Sequence, residues 1–78
     1  NYCYELFLAG RDGEAQAQCR AALAIDADDP NALNNLGRAL MLQGRNAEAR
    51  ALLKRALKAS PGNPAILFNL SRVRTGSP

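Results

Sequence analysis

Residues 30–64 read PNALNNLGRALMLQGRNAEARALLKRALKASPGNP, and this stretch decides the fold. Pro30 and Pro64 bound it and enclose two consecutive helical patterns. When the chain is laid on itself so that Pro30 meets Pro64, 15 of the 44 comparable positions are identical. A composition rich in alanine and leucine would give roughly four such identities by chance. The sequence therefore predicts an internal repeat, whose interval is the sequence distance from Pro30 to Pro64.

Prolines, glycines and small polar residues predict where five helices begin and end. Pro30 and Pro64 suit the first position of a helix, where the missing amide hydrogen costs nothing. Gly10 and Gly44 suit helix ends, because glycine readily adopts the left-handed conformation. The predicted N-terminal caps are Asp12, Asp29, Asn46 and Asn63. The predicted helices cover residues 1–9, 13–25, 30–43, 47–59 and 64–74.

Helical periodicity predicts which faces of these helices are buried. The third helix places Leu33, Leu36, Gly37 and Leu40 at the spacing of a buried stripe. The inward face predicted for the fourth helix consists of Ala49, Leu52, Leu53, Ala56 and Leu57. Small residues recur at equivalent positions in the helices: Cys3, Gly37 and Ser71, then Ala15 and Ala49, then Ala22 and Ala56. Since small side chains let helix backbones approach closely, each pair of helices is predicted to form a tight antiparallel hairpin.

The repeat interval and several residues within it resemble the tetratricopeptide repeat family. The residues that carry the resemblance are Asn35-Leu36-Gly37, Gly44, Glu48-Ala49, Ala56-Leu57 and Pro61. The resemblance implies an all-α fold in which antiparallel helix-turn-helix hairpins stack as an α-solenoid, with the first helix of each pair lining a concave surface. It divides the chain into a first repeat truncated at its N-terminus (1–29), a second repeat (30–63), the first helix of a third (64–74) and a tail (75–78). The chain is therefore expected to be a segment of a longer protein.

The resemblance also implies where a partner would bind. The concave surface would be formed by the helix faces opposite the leucine stripes. The partner-binding residues predicted on those faces are Asn1, Tyr4, Phe7, Leu8, Asn31, Asn34, Asn35, Arg38, Met41, Leu42, Phe68, Asn69 and Arg72. The function predicted is a non-catalytic protein–protein interaction module that holds a peptide or partner segment.

Two groups of these residues recur at the repeat interval. Asn1, Asn35 and Asn69 form one ladder, and a carboxamide can both donate and accept hydrogen bonds to an extended peptide. Arg38 and Arg72 stand beside it, and guanidinium groups bind carboxylates or phosphates through paired hydrogen bonds. An acidic partner is therefore favoured, although exposed arginines are also common on surfaces that bind nothing. The apolar residues of the set either anchor a partner or pack between neighbouring helices.

The alternative function is self-assembly. Residues 1–34 carry two arginines and six carboxylates, a net charge of −4, whereas residues 35–78 carry eight basic residues and Glu48, a net charge of +7. Such an asymmetry favours head-to-tail association, unless a longer parent chain balances it. No sixth helix follows the fifth in this sequence, so its apolar residues are expected to need cover from another copy. These self-association residues are Ile66, Leu67, Leu70 and Val73.

The sequence contains no motif for catalysis or for binding a metal or cofactor. It has no histidine, no phosphate-binding loop and no CxxC pair. The basic run formed by Arg50, Lys54, Arg55 and Lys58 contains no aromatic residue, so it indicates a solvated helix face and makes a nucleic-acid partner unlikely. No apolar run is long enough to span a bilayer. The sequence thus predicts neither an enzyme nor insertion into a membrane.

The two cysteines, Cys3 and Cys19, fall on the inward sides of their helices. A buried cysteine commonly packs as a small apolar side chain, so both are expected to be reduced, with a bridge between the paired helices as the alternative. Nothing in the sequence fixes a compartment, and for a segment expected to be soluble the cytoplasm is slightly favoured.

Overall fold

The computed structural model describes residues 3–75, and these residues form five helices. Asn1, which the sequence placed on the concave surface, and residues 76–78 of the predicted tail lie outside the described residues. Thr75, the first residue of that predicted tail, is the last residue of the fifth helix. The helices are α1 (Cys3–Leu8), α2 (Asp12–Ile25), α3 (Pro30–Leu42), α4 (Asn46–Ala59) and α5 (Pro64–Thr75).

The starts of α3 and α5 follow the predicted pattern of a cap and a proline. The Asp29 carboxylate accepts hydrogen bonds from the backbone amides of Asn31 at 3.0 Å and Ala32 at 3.3 Å. The Asn63 side-chain oxygen accepts equivalent bonds from the amides of Ala65 at 3.0 Å and Ile66 at 3.4 Å. These bonds satisfy amides that have no partner within the helix.

The starts of α2 and α4 correct the prediction that Asp12 and Asn46 cap them. Both helices begin at those residues, and Arg11 and Arg45 occupy the capping positions without a side-chain cap bond. Each arginine instead pairs with a glutamate three residues later, Arg11 with Glu14 at 2.7 Å and Arg45 with Glu48 at 2.9 Å. The preceding turn explains the shift of one residue. Gly10 and Gly44 take positive φ angles of 77° and 81°, so the chain turns and re-enters a helix immediately.

The helices pack in chain order as antiparallel pairs. α1 pairs with α2 and α3 with α4, while α2 also packs on α3 and α4 on α5. The largest of the fully buried side chains come from α3, α4 and α5: Leu33, Leu36, Leu40, Leu53, Ile66 and Val73. Arg38 is exposed, whereas Leu36 and Leu53 are buried, as the stripe on α3 and α4 predicts.

Gly37 allows α3 and α4 to approach closely. A Cβ atom at this position would lie 2.8 Å from Leu53 Cγ and 3.4 Å from the Ala49 carbonyl oxygen. The first distance is shorter than carbon atoms tolerate, and Leu53 is fully buried and closely packed. The third helix therefore needs glycine here for a steric reason.

We expect Gly37→Ala to lower the free energy of unfolding by about 1–2 kcal/mol, because the clash outweighs the better helix propensity of alanine. Gly13 is the matched control, since it lies in α2 with no positive φ and a Cβ there would meet no atom within 4 Å. Gly13→Ala should therefore raise stability by about 0.5–1 kcal/mol. Urea denaturation of both variants measures this difference, and a stabilised Gly37→Ala variant would contradict the packing.

Ser71 departs from the predicted pattern of small residues between helices. It stands one repeat interval after Gly37 but is exposed. The described part of the chain contains no helix after α5 against which Ser71 could pack.

The cysteines also differ from the expectation, because Cys3 and Cys19 form a disulfide bond. Their Cα atoms lie 5.3 Å apart, and both residues are fully buried. The antiparallel pairing of α1 and α2 brings the start of one helix opposite the middle of the other. The disulfide thus ties together the two helices of the first hairpin.

The end of α5 is less open than the prediction of a self-association face requires. Ile66, Leu70 and Val73 are buried, and only Leu67 is exposed, at 46%. The reason is that α5 packs on both α4 and α3, which together cover its apolar stripe. Three of the four self-association residues therefore belong to the core of the chain itself.

Candidate partner-binding surface

The exposed faces of α1, α3 and α5 lie side by side. α3 contacts α1 on one side and α5 on the other, so the outer faces of these three helices adjoin. We call this area the first-helix surface. It is defined by the exposed residues Tyr4, Leu8, Asn31, Arg38, Leu42, Phe68 and Arg72.

Four of the seven residues that define the first-helix surface have large apolar side chains. The exposed fractions are 47% for Tyr4, 67% for Leu8, 65% for Leu42 and 61% for Phe68. Each of the three helices contributes at least one of them. Several exposed apolar side chains on neighbouring helices favour an interaction surface, because large apolar patches commonly mark such surfaces.

Two arginines accompany these apolar side chains. Arg38 forms no ion pair or side-chain hydrogen bond with any residue between 3 and 75, so its guanidinium is available to a partner. The guanidinium carbon of Arg72 lies 5.6 Å from the centroid of the Phe68 ring, within the range of a cation–π interaction. Because Arg38 and Arg72 are one repeat apart, they present positive charge at equivalent places on neighbouring helices.

The asparagine ladder differs from the predicted one. Asn69 is only 5% exposed, and its side-chain nitrogen donates a hydrogen bond of 2.9 Å to the Asn34 side-chain oxygen. Both residues were predicted to contact a partner, but this bond instead connects α5 to α3. Asn35 is half-buried and forms no side-chain hydrogen bond with another described residue. Of the ladder, Asn35 therefore keeps a carboxamide that a partner could reach.

Phe7 and Met41 also serve the core rather than a fully open surface. Both are half-buried and pack against the cluster of buried residues. Phe68 occupies the position in α5 that Asn34 occupies in α3, and Asn34 faces the next first helix. Phe68 therefore lies at the edge of the first-helix surface.

Sequence reasoning missed part of the role of the basic run on α4. Lys54, Arg55 and Lys58 are exposed as predicted, but Arg55 donates a hydrogen bond of 2.6 Å to the Ala27 carbonyl oxygen. Arg50 is only half-exposed, and its Nε atom is buried with no hydrogen-bond partner among the described residues. Neither the bond of Arg55 nor the burial of Arg50 could be read from helical periodicity, because both depend on how α4 meets its neighbours.

The described residues contain no cluster of three or more side chains suited to holding a metal ion. Within the same residues, no helix is both long and apolar enough to cross a membrane. What the arrangement offers chemically is a surface of exposed apolar groups and guanidinium groups.

Stacked antiparallel hairpins that expose their first helices in this way define a helical-repeat domain. The family model described as Tetratricopeptide repeat matches residues 6–66 and again residues 40–75. The chain belongs to the tetratricopeptide repeat family. Neither the curated proteins nor the solved structures include a match to the chain. Domains of this family generally mediate protein–protein interactions and are typically non-catalytic.

Proposed function

We propose that the chain binds an acidic segment of another protein on the first-helix surface. The observation that carries this proposal is that the neighbouring helices α1, α3 and α5 each expose at least one large apolar side chain, while the middle helix also exposes Arg38. Burial of apolar side chains supplies most of the free energy in protein association, and rigid aromatic groups and arginines often anchor it. The family to which the chain belongs makes a polypeptide the expected partner.

The charge of the surface favours carboxylates in that partner. Arg38 and Arg72 are the charged residues among the seven that define the first-helix surface, and both are positive, whereas Glu5 of α1 is exposed but is not one of the seven. A guanidinium group binds a carboxylate through two parallel hydrogen bonds, which adds direction to the attraction. Asn35 is half-buried on α3 and suits the partner's backbone because its carboxamide offers both a donor and an acceptor.

Charge reversal of the two arginines tests the proposal. A peptide selected from a random displayed library on the wild-type chain provides the probe, and we expect the selected sequences to be rich in Asp, Glu and apolar residues. The double variant Arg38→Glu/Arg72→Glu should bind such a peptide at least about tenfold more weakly, because two charge-assisted contacts become repulsive. Fluorescence anisotropy of the labelled peptide measures the affinity.

The double variant Lys54→Glu/Lys58→Glu is the matched control. It changes the net charge by the same amount, but on the exposed side of α4. Its affinity should stay within about twofold of the wild type, since exposed charges at a distance are screened by salt. Equal losses in the two double variants would show that net charge alone drives binding and would contradict a site on the first-helix surface.

We further propose that the chain works in an oxidising compartment. The support is the buried Cys3–Cys19 disulfide, because disulfides are rare in the reducing cytosol. This replaces the slight preference for the cytoplasm expected for a soluble segment.

A further inference from the structure

A cleft separates the second helices of the two hairpins. α2 and α4 both pack against α3, but their backbones do not come into contact with one another. The space between them has a volume of about 550 Å³, which lies within the range of ligand-binding pockets in proteins. We call it the α2–α4 cleft.

The interior of the α2–α4 cleft is apolar. Leu36 and Leu40 of α3 form its floor, and these two leucines belong to the buried core. Leu23 of α2 and Leu52 of α4 form the walls, and both are half-buried. An aliphatic side chain that entered the cleft would therefore be surrounded by aliphatic groups on three sides.

The rim of the cleft carries two arginines and one glutamate, so its net charge is positive. Glu48 is its acidic residue, but both oxygens of that carboxylate already accept hydrogen bonds of 2.9 Å from Arg45. Arg55 donates a hydrogen bond to the Ala27 carbonyl oxygen and pairs with the Asp28 carboxylate at 3.8 Å. Arg20 is exposed and has no ion pair or side-chain hydrogen bond with any described residue. The charge that the cleft leaves uncompensated is thus the guanidinium group of Arg20.

We propose that the α2–α4 cleft is a second docking site, which takes a segment of a partner protein with an aliphatic side chain next to a carboxylate. The aliphatic side chain contacts Leu23, Ala51 and Leu52 above the buried Leu36, and the carboxylate pairs with Arg20. The complementarity of charge at Arg20 and of apolar surface below it selects this chemistry over a neutral or basic segment. Among the described residues, no aromatic side chain lines the cleft for base stacking, which argues against a nucleic acid.

This site is separate from the first-helix surface. α3 directs Leu36 and Leu40 into the cleft, whereas Arg38 and Leu42 are exposed on its other side. The two surfaces therefore lie on opposite faces of α3 and can be occupied at the same time. The proposal for the cleft stands even if the first-helix surface binds nothing.

Methyl-labelled NMR of the whole chain tests the proposal with defined peptides. The probe is the blocked peptide Asp-Leu-Asp-Leu-Asp, and the two comparison peptides replace every Asp by Lys or every Leu by Ser. We expect saturable shifts of the Leu23, Leu36, Leu40 and Leu52 methyl signals with the first peptide, and none with the other two. Absence of saturable shifts at these methyls, or equal shifts with the lysine peptide, would overturn the proposal.

Substitutions at two exposed positions of the cleft test the contributions of its charge and its shape separately. Arg20→Glu should weaken binding of the peptide about fivefold or more, because one exposed ion pair is lost and becomes repulsive. Ala24→Trp keeps every charge but fills the cleft, so it should remove the leucine methyl shifts altogether. Lys54→Glu, an exposed charge reversal outside the cleft lining, should leave binding at the cleft within about twofold of the wild type. An unchanged affinity in Arg20→Glu or in Ala24→Trp would contradict the assignment.

Discussion

Removal of the Cys3–Cys19 disulfide is expected to lower the free energy of unfolding by about 3 kcal/mol. The bond closes a loop with a sequence separation of 16 residues, and cross-links of this length restrict the unfolded chain by about that amount. Within the described residues α1 is only six residues long, and a helix so short is not stable by itself in water. The loss should therefore be concentrated in α1, which depends on its attachment to α2.

Two comparisons distinguish the stability contributed by the covalent bond from that contributed by the packing of the cysteine side chains. Reduction of the wild type keeps both side chains, whereas the variant Cys3→Ala/Cys19→Ala removes them and should not respond to a reductant. Thermal unfolding followed by circular dichroism, with and without dithiothreitol, measures both effects, and amide hydrogen exchange locates them. Thiol labelling of the unfolded chain should detect two reactive cysteines only after reduction. If the wild type labels fully without a reductant, or melts at the same temperature with one, the bond does not contribute as described.

Leu53→Ala is expected to lower the free energy of unfolding by about 2–5 kcal/mol. Leu53 is fully buried in α4 and contacts the backbone of α3 at Gly37, so the smaller side chain leaves a cavity at the centre of the second hairpin. Leu67→Ala is the matched control, because Leu67 is 46% exposed in α5 and the same atoms are removed. Its cost should be below about 1 kcal/mol. Urea denaturation of the two variants measures the difference, and similar costs would contradict the burial pattern.

Combining Leu53→Ala with Gly37→Ala tests the close approach of these two residues. In the Leu53→Ala background, the side chain that obstructs a Cβ at position 37 is gone, and the nearest remaining atom is the Ala49 carbonyl oxygen at 3.4 Å. Gly37→Ala should therefore be close to neutral or stabilising there. The two substitutions should be coupled by about 1–2 kcal/mol, because they act on residues in direct contact. Simple additivity of the two costs would show that the clash is absent.

The parts of the fold that could be predicted depend on local rules. The repeat interval, the caps at Asp29 and Asn63, and the positive φ angles of Gly10 and Gly44 each follow from the sequence pattern around a few residues. The family match confirms the class of fold that the repeat indicated. The starts of α2 and α4 could not be placed to the residue, because Asp or Asn after a glycine turn can either cap a helix or begin one.

The parts that could not be predicted depend on which helices meet. The position of Asn69 follows the repeat, but its burial arises from the contact of α5 with α3. Helical periodicity places Cys3 and Cys19 on inward faces without saying that they face each other. The α2–α4 cleft exists because α2 and α4 both pack on α3 but not on each other. The hydrophobic pattern of one helix does not show how two helices are placed relative to one another. At the candidate site, the exposure of Arg38 could be predicted because it lies opposite the leucine stripe of α3. The role of Arg38 in binding stays a prediction.

The hydrogen bond between Asn34 and Asn69 helps to fix the spacing of α3 and α5 before any ligand binds. It joins consecutive first helices at 2.9 Å, within a mostly buried contact, and so holds the pitch from one hairpin to the next. A ligand that lies across α3 and α5 then encounters a spacing that is already set, and the protein loses little further freedom when the complex forms. We therefore expect a ligand that spans α3 and α5 to bind best when the distance between its contacting groups matches that spacing.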